Sequence, residues 1–260
     1  MGFSSAERER YARHILLKEI GGHGQQCLKA ATVAIVGVGG LGAASGLYLA
    51  AAGVGRLRLI DHDEVSLSNL QRQIVYRSVD VGAPKVERAR QALLALNDNL
   101  IVEAEPRRLG PSNGAALLGD ATLVLDGSDD FATRFAVNAA CHECAVTLVS
   151  GAVGRWQGQL ATFKSGLTKT LAPDERLPCY RCFVPEAPPE AETCARDGIV
   201  GALTGVIGSM MALEAIKEIT QAGDSLAGRV LIYDGLTATT RSVGLGRDFA
   251  CPVCGALDLG

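Results

Sequence analysis

The sequence predicts an α/β fold in which a doubly wound, mostly parallel sheet continues into a mixed sheet. Short apolar runs alternate with longer helical stretches between residues 30 and 161, and this alternation is typical of a parallel sheet with helices on both faces. A glycine-rich turn, GVGGLG, follows the first apolar run at residues 37–42. Doubly wound sheets bind phosphates at such a turn, so we expect a ligand site at the carboxyl edge of the sheet.

Each strand is predicted from a short run of apolar residues. Five parallel strands are expected at residues 33–36, 57–60, 101–105, 123–125 and 146–149. Three further strands would extend this Rossmann-like core into a mixed sheet, at residues 157–163, 229–233 and 239–243. The helices are expected at residues 4–20, 43–52, 131–144 and 203–220.

Two of these helices differ in character. The first is charged, with Tyr11, Ile15 and Leu16 as its expected docking face, and the last is apolar nearly all round, which predicts burial in the core or at a subunit interface. We expect one domain over residues 1–260, made of a helical arm (1–29), a nucleotide-binding core (30–163), a loop (164–198) and a C-terminal part (199–260). The loop holds five of the nine prolines, which predicts a mobile segment.

The composition excludes several classes of protein. With 48% hydrophobic and 20% charged residues, the chain is typical of a well-buried globular protein. A net charge of −3 gives no electrostatic reason to expect a nucleic acid or an anionic membrane as partner. The N-terminus has no apolar signal core, and the longest weakly polar stretch, residues 199–213, is too short and glycine-rich to span a bilayer. We therefore expect a cytoplasmic protein.

The glycine-rich turn predicts a nucleotide site. Gly37, Gly39 and Gly42 allow a tight turn and a close backbone approach, and the following helix offers free N–H groups to a phosphate. Asp61, 19 residues after Gly42, ends the second strand, where a carboxylate can accept hydrogen bonds from a ribose. The turn alone is compatible with NAD, FAD, S-adenosylmethionine or ATP.

The residues after Asp61 narrow the choice of nucleotide. The segment SLSNLQRQ at residues 66–73 places Asn69, Arg72 and Gln73 just beyond the strand, and Lys85 begins a helix further on. A triphosphate carries about four negative charges, which fixed cations must neutralise during attack on the α-phosphorus. Arg72 and Lys85 could do this, although a solvated charged face would explain both as well.

A carboxylate cluster, DGSDD at residues 126–130, follows the fourth strand. Mg²⁺ binds one or two carboxylates together with substrate phosphates, so we predict that Asp129 holds Mg²⁺. The alternative is a helix N-cap, which Ser128, Asp129 or Asp130 could supply to the helix that begins near Phe131. One aspartate could cap while another binds metal.

Four cysteines predict a structural zinc site. Cys179 and Cys182 form one CxxC pair, Cys251 and Cys254 form another, and 68 residues separate the pairs. A third pair of this spacing, Cys141 and Cys144, lies within a predicted helix, which favours core packing. Cys194 ends the proline-rich loop and is either a covalent acceptor or a cysteine without a catalytic role.

Together these motifs resemble those of the ubiquitin-activating-type adenylyltransferases, the MoeB/ThiF/HesA family, and in particular its molybdopterin-synthase members. The likeness covers nearly the whole chain. It rests on segments that occur in one order: YARHILL, GVGGLG, SLSNLQRQ, VGAPKVE, LDGSDD, PCYRC and CPVCG.

The resemblance implies a homodimer that uses ATP and Mg²⁺ to adenylate the C-terminal glycine of a ubiquitin-like sulfur-carrier protein ending in Gly-Gly. A sulfurtransferase or a cysteine desulfurase would be a further partner. By matching motifs, Arg13 would act as an arginine finger on the other subunit's site. The implied nucleotide contacts are Gly37, Gly39, Gly40, Gly42, Asp61, Asp63, Asn69, Arg72, Gln73, Lys85 and Asp129.

Two features leave parts of this interpretation open. Asp130 stands where these enzymes usually carry Asn, and the cysteine matching Cys194 is a working thiol in some relatives and dispensable in others. Three alternative functions remain. They are adenylation of a small-molecule or tRNA-attached carboxylate, NAD-dependent oxidoreduction, and a non-catalytic zinc scaffold that binds carrier proteins.

Overall fold

The computed structural model describes residues 2–188 and 198–255. Its eight strands form one sheet in the order β3-β2-β1-β4-β5-β6-β7-β8. The strands from β3 to β5 are parallel and those from β5 to β8 are antiparallel, as predicted. The strand bounds are β1 Thr32–Val36, β2 Arg56–Ile60, β3 Ile101–Glu105, β4 Leu123–Asp126, β5 Thr147–Gly154, β6 Gln157–Phe163, β7 Arg229–Asp234 and β8 Thr239–Gly244.

Nine α-helices occur in the part of the chain described above. Their bounds are α1 Ser5–Arg10, α2 Ala12–Ile15, α3 Gly21–Ala30, α4 Gly40–Ala52, α5 Lys85–Leu96, α6 Gly114–Leu118, α7 Phe131–Cys144, α8 Tyr180–Phe183 and α9 Gly201–Thr220. None of the helices in residues 2–188 and 198–255 has the length and apolar character that crossing a membrane requires.

The sheet is covered on both faces. Helix α9 packs along α4 and lies over β5 and β6. This approach needs small residues, because a Cβ at Gly208 would lie 2.7 Å from the carbonyl oxygen of Leu41, and a Cβ at Gly158 would lie 2.3 Å from the Ile207 side chain. The predicted burial of this helix is confirmed along one side, while Val206 and Leu213 on the other side are exposed.

The prediction of one continuous helix over residues 4–20 is wrong. The chain leaves helical geometry at Tyr11 (φ −98°, ψ 9°), and α1 and α2 lie on either side of it. Tyr11 is buried as predicted, but the break changes the helical phase, and Leu16 is 76% exposed rather than docked. A separate helix, α3, then leads into β1.

The described part of the proline-rich loop, residues 164–188, is more structured than the sequence indicates. It contains α8, and Tyr180 is buried between the rings of Phe163 and Phe183. The backbone N–H of Tyr180 donates to the Asn138 side chain at 2.8 Å. These long-range contacts have no counterpart in local sequence periodicity.

Candidate functional site

The glycine-rich turn joins β1 to α4 and abuts the loop after β4. Gly37 has φ of +81°, and a Cβ there would lie 2.9 Å from the backbone of Ser128. A Cβ at Gly42 would lie 2.1 Å from the carbonyl oxygen of Gly37. Both positions therefore require glycine, and the first N–H groups of the 13-residue helix α4 are left without intrahelical acceptors. This is the geometry of a phosphate cradle.

Asp61 ties the end of β2 to this turn. Its Oδ2 accepts a hydrogen bond from the N–H of Val38 at 2.8 Å, and its Oδ1 accepts one from the N–H of Asp63 at 2.9 Å. Burial raises the pKa of the Asp61 carboxyl, and this effect is larger than the lowering caused by the charge of Lys85 and by these two hydrogen bonds. Each carboxylate oxygen keeps a lone pair, so Asp61 could also accept ribose hydroxyls.

The structure brings Lys85 to the same edge of the sheet. Its side chain is buried, and Nζ lies 2.7 Å from Oδ2 of Asp63, whose own side chain is half exposed. The backbone N–H of Lys85 also donates to the carbonyl of Asp63 at 2.9 Å. The Lys85 ammonium group is thus held in one position by Asp63, a residue of the same site.

Asn69, Arg72 and Gln73 lie close to one another after a short 3₁₀ turn. A guanidinium nitrogen of Arg72 donates to Oδ1 of Asn69 at 2.9 Å. Gln73 is 4% exposed, and within the described ranges its Oε1 has no hydrogen-bond partner. Its Nε2 lies 3.5 Å from where a Cβ of Gly39 would be. A buried, unpaired amide oxygen beside the turn fits a ligand that brings a donor.

Gly40 has a reason to be glycine that the sequence did not reveal. A Cβ at this position would lie 2.8 Å from Cβ of Thr204 on α9. The single hydrogen of the Thr204 hydroxyl is shared between the carbonyl oxygens of Gly201, at 2.7 Å, and Arg72, at 3.2 Å. Helix α9 therefore supports the turn and the Arg72 segment together.

The carboxylates after β4 have separate tasks. Asp126 is buried, accepts from the Ser128 hydroxyl at 2.6 Å and lies 3.8 Å from the Arg134 guanidinium. Asp130 is the N-cap of α7 and accepts from the N–H of Thr133 at 2.9 Å. Asp129 is exposed, and the described residues give it neither a hydrogen bond nor an ion pair. The capping alternative therefore applies to Asp130 and leaves Asp129 free for a metal ion.

Three carboxylates at this edge are each paired with a lysine or an arginine, and two of these cations, Arg108 and Arg134, were not predicted. No local motif marks either of them, because each contact depends on the packing of the loops. The three ion pairs are Asp63 with Lys85, Asp126 with Arg134, and Asp130 with Arg108.

Arg13 lies far from the glycine-rich turn of its own chain. It follows Tyr11 by two residues, and Tyr11 packs at the C-terminal end of α4, where a Cβ at Gly53 would lie 2.5 Å from its ring. The turn is at the other end of α4, about 20 Å away for 13 residues. Arg13 is therefore not brought into the site by its own subunit. The predicted residue Cys194 lies outside the described residues.

The four predicted zinc ligands form one cluster. The sulfur atoms of Cys179 and Cys251 are 3.6 Å apart, those of Cys182 and Cys254 are 3.3 Å apart, and all four lie within 4.8 Å of one another. Tetrahedral Zn–S bonds of about 2.3 Å put sulfur atoms about 3.8 Å apart. The cluster could hold a zinc ion, and the Asn138 side chain and the N–H of Asp248 each donate to one of its sulfurs.

The rival cysteine pair lies elsewhere, as predicted. Cys141 is buried in the core between α7 and the sheet, where burial raises the pKa of its thiol. The Cys144 thiol faces the carbonyl oxygen of Ala115 at 3.9 Å. Neither cysteine belongs to the four-cysteine cluster.

The chain is similar to a known family and to several named proteins. The model of the ThiF family matches residues 11–253. A sulfur carrier protein adenylyltransferase of Thermus thermophilus is 44% identical over 257 residues, covering 98% of this chain and 93% of the relative. The molybdopterin-synthase adenylyltransferase of Escherichia coli is 43% identical over 252 residues, covering 97% of this chain and 98% of the relative. The structure of E. coli MccB with ATP has a TM-score of 0.78 at 23% identity and covers 95% of this chain and 74% of that chain.

Proposed function

Because the chain belongs to the ThiF family, we propose that it adenylates the C-terminal glycine carboxylate of a ubiquitin-like sulfur-carrier protein. A carboxylate oxygen of the carrier attacks the α-phosphorus of ATP, the bond to the bridging oxygen of the β-phosphate breaks, and pyrophosphate leaves. The similarity to enzymes named for sulfur carriers and for molybdopterin synthase supports this substrate class.

One observation carries the proposal. Val38 in the glycine-rich turn bonds to Asp61, the backbone of Asp63 bonds to Asp61, and the Asp63 carboxylate holds Lys85. The phosphate cradle, the ribose acceptor and a fixed cation thus form one connected unit. Charge neutralisation by fixed groups is the main requirement of adenylation, which needs no protein nucleophile.

Most of the residues predicted to contact the nucleotide then have a role in this reaction. The backbone of the glycine-rich turn would bind the phosphates, and Asp61 would bind the ribose. Asn69, Arg72 and Lys85 would stabilise the negative charge that develops on the leaving pyrophosphate. Asp129 would hold Mg²⁺, which screens the phosphates when bound. The unpaired Oε1 of Gln73 would accept a hydrogen bond from the nucleotide or from the carrier's tail.

The alternatives have less support. A small-molecule or tRNA-attached carboxylate would use the same chemistry, but the similar proteins that cover nearly the whole chain are named for a sulfur carrier and for molybdopterin synthase. NAD-dependent oxidoreduction would give no role to Lys85 or Asp129. A non-catalytic scaffold would have no need of a buried lysine beside the phosphate cradle.

Exchange between ATP and labelled pyrophosphate tests the proposed function. We expect exchange only when a carrier ending in Gly-Gly is present, and we expect Cys194→Ala to retain it, because adenylation precedes any thiol transfer. Exchange that needs no carrier, or NAD binding without exchange for every carrier tried, would contradict the proposal. Loss of exchange in Cys194→Ala would show that this thiol acts in the first step.

We also propose that the protein is a homodimer and that Arg13 completes the partner's site. Large apolar side chains are exposed on α4, on α9 and beside α2, namely Leu16, Leu17, Tyr48, Val206 and Leu213. A second copy would cover such a surface. The distance of Arg13 from its own glycine-rich turn leaves the other subunit as the site it could reach.

Mixing two inactive variants tests this arrangement. Arg13→Ala and Lys85→Ala homodimers are each expected to lack exchange activity. After subunit exchange, about half the dimers are mixed and each has one complete site, so about a quarter of the wild-type activity should return. A mixture that stays inactive, although its subunits exchange and both variants melt like the wild type, would argue against an arginine acting between subunits.

The cysteine cluster is proposed to bind Zn²⁺ in a structural role. Cys179 is the N-cap of α8 and Cys182 lies within this helix, whereas Cys251 and Cys254 follow β8. Bound there, zinc would join these two segments and support the packing of α8, whose Tyr180 is buried against Phe163. A sulfur donor would then attack the acyl carbon of the adenylate and AMP would leave; that this donor is a sulfurtransferase or a cysteine desulfurase stays a prediction.

A further inference from the structure

A single ion pair links the loop after β3 to the start of α7. A guanidinium nitrogen of Arg108 lies 3.0 Å from Oδ1 of Asp130, the same oxygen that accepts the N–H of Thr133. Asp130 therefore caps the helix and holds a cation at once. Arg108 is partly exposed and comes from a different loop, so the pair is a tertiary contact and not a feature of the acidic loop itself.

Asp130 stands at the edge where the proposed nucleotide phosphates lie. It follows Asp129 directly, and the backbone of Ser128, two residues earlier, contacts the glycine-rich turn at Gly37. A triphosphate with about four negative charges would meet this loop. An unpaired carboxylate there would repel it, because like charges at short range raise the free energy of binding.

The charge of the Asp130 carboxylate must therefore be balanced by a neighbouring cation. Arg108 is the cation that contacts it, at 3.0 Å.

We propose that Arg108 is a positioning residue for the nucleotide, which neutralises Asp130 so that the acidic loop can face a triphosphate. The inference rests on the proposed use of ATP. It assigns Arg108 no contact with the nucleotide, because its guanidinium is already directed at Asp130. Arg108 would act on nucleotide affinity and leave the chemical step nearly unchanged.

The chain provides a matched control next to Arg108. Arg107 has the same charge and nearly the same side-chain exposure, 56% against 57%, but it pairs with Glu105 at 2.6 Å. Asp130→Asn is a second useful variant. Asparagine is as good an N-cap as aspartate, so this change removes the charge and keeps the helix start.

The experiment measures the Kd of Mg-ATP by calorimetry, without carrier, for four variants. Arg108→Ala should weaken binding about fivefold, with a smaller loss at high ionic strength, because the repulsion is electrostatic and partly exposed. Arg107→Ala and Asp130→Asn should bind like the wild type or better. The double variant Arg108→Ala/Asp130→Asn should recover the affinity, and kcat for exchange should change little throughout.

Two results would overturn the inference. If the double variant binds as weakly as Arg108→Ala, then Arg108 itself touches the nucleotide. If Arg107→Ala weakens ATP binding as much as Arg108→Ala does, the loss comes from the lower positive charge of the protein and not from the pairing with Asp130. The calorimetry needs no carrier, so its result can be distinguished from a failure of the proposed function. A protein that shows the expected ATP pattern but no exchange with any carrier would refute carrier adenylation and support the role of Arg108.

Discussion

Replacing Asp129 by alanine is expected to abolish ATP–pyrophosphate exchange, with a loss of about a hundredfold or more. Asp129 is the exposed carboxylate of the acidic loop, and the described residues give it no partner, whereas Asp126 and Asp130 are held by arginines. Of the three aspartates in the acidic loop, Asp129 is thus the one available to bind a metal ion with the phosphates. Loss of this carboxylate should raise the Mg²⁺ concentration needed for any residual exchange, which a titration would measure.

The structure also predicts what this substitution leaves intact. Because Asp129 is exposed and makes no hydrogen bond or ion pair in the described part of the chain, Asp129→Ala should melt at the wild-type temperature, unlike a substitution of the buried Asp126. Asp224→Ala, at another exposed aspartate, is the control and should keep full exchange. A variant lacking Asp129 that exchanges normally at low Mg²⁺ would show that the metal is held elsewhere, with the exposed Asp63 as the next candidate.

Removing zinc is expected to give the largest loss of stability. Cys251 is 1% exposed and its sulfur contacts that of Cys179, so Cys251→Ser should release the metal and separate the C-terminal segment from α8. Structural zinc sites contribute several kcal/mol to folding, and the melting temperature should fall by about 10 °C or more. Calorimetric melting and elemental analysis, with about one zinc per chain in the wild type, would measure both effects.

Cys144→Ser is the matched control for the zinc prediction. It belongs to a CxxC pair of the same spacing, but it lies beside Ala115, outside the four-cysteine cluster. Its zinc content should equal that of the wild type. A wild-type protein without zinc after growth in zinc-supplemented medium, or a Cys251→Ser variant with full zinc, would contradict the assignment.

The strands and most helices could be predicted because their signals are local. An apolar run between turns marks a buried parallel strand, and each of the five parallel strands begins within one residue of its predicted start. Helix α7 has the predicted bounds, Phe131–Cys144. Local signals were not sufficient at Tyr11, where packing against Gly53 interrupts the predicted helix.

The chemistry of the candidate site was readable only in part. Sequence spacing alone identified the glycine-rich turn, Asp61 and the cysteine pairs, because each depends on residues close together in the chain or on a recurring motif. The sequence did not show which carboxylates pair with an arginine and which one stays unpaired. Arg108 meets Asp130 across 22 positions of sequence, and this contact exists because the order of β3, β2, β1 and β4 brings the carboxyl ends of these strands to one edge. Motifs specify which groups are present, whereas the sheet order and loop packing determine which charges are neutralised and which carboxylate stays free.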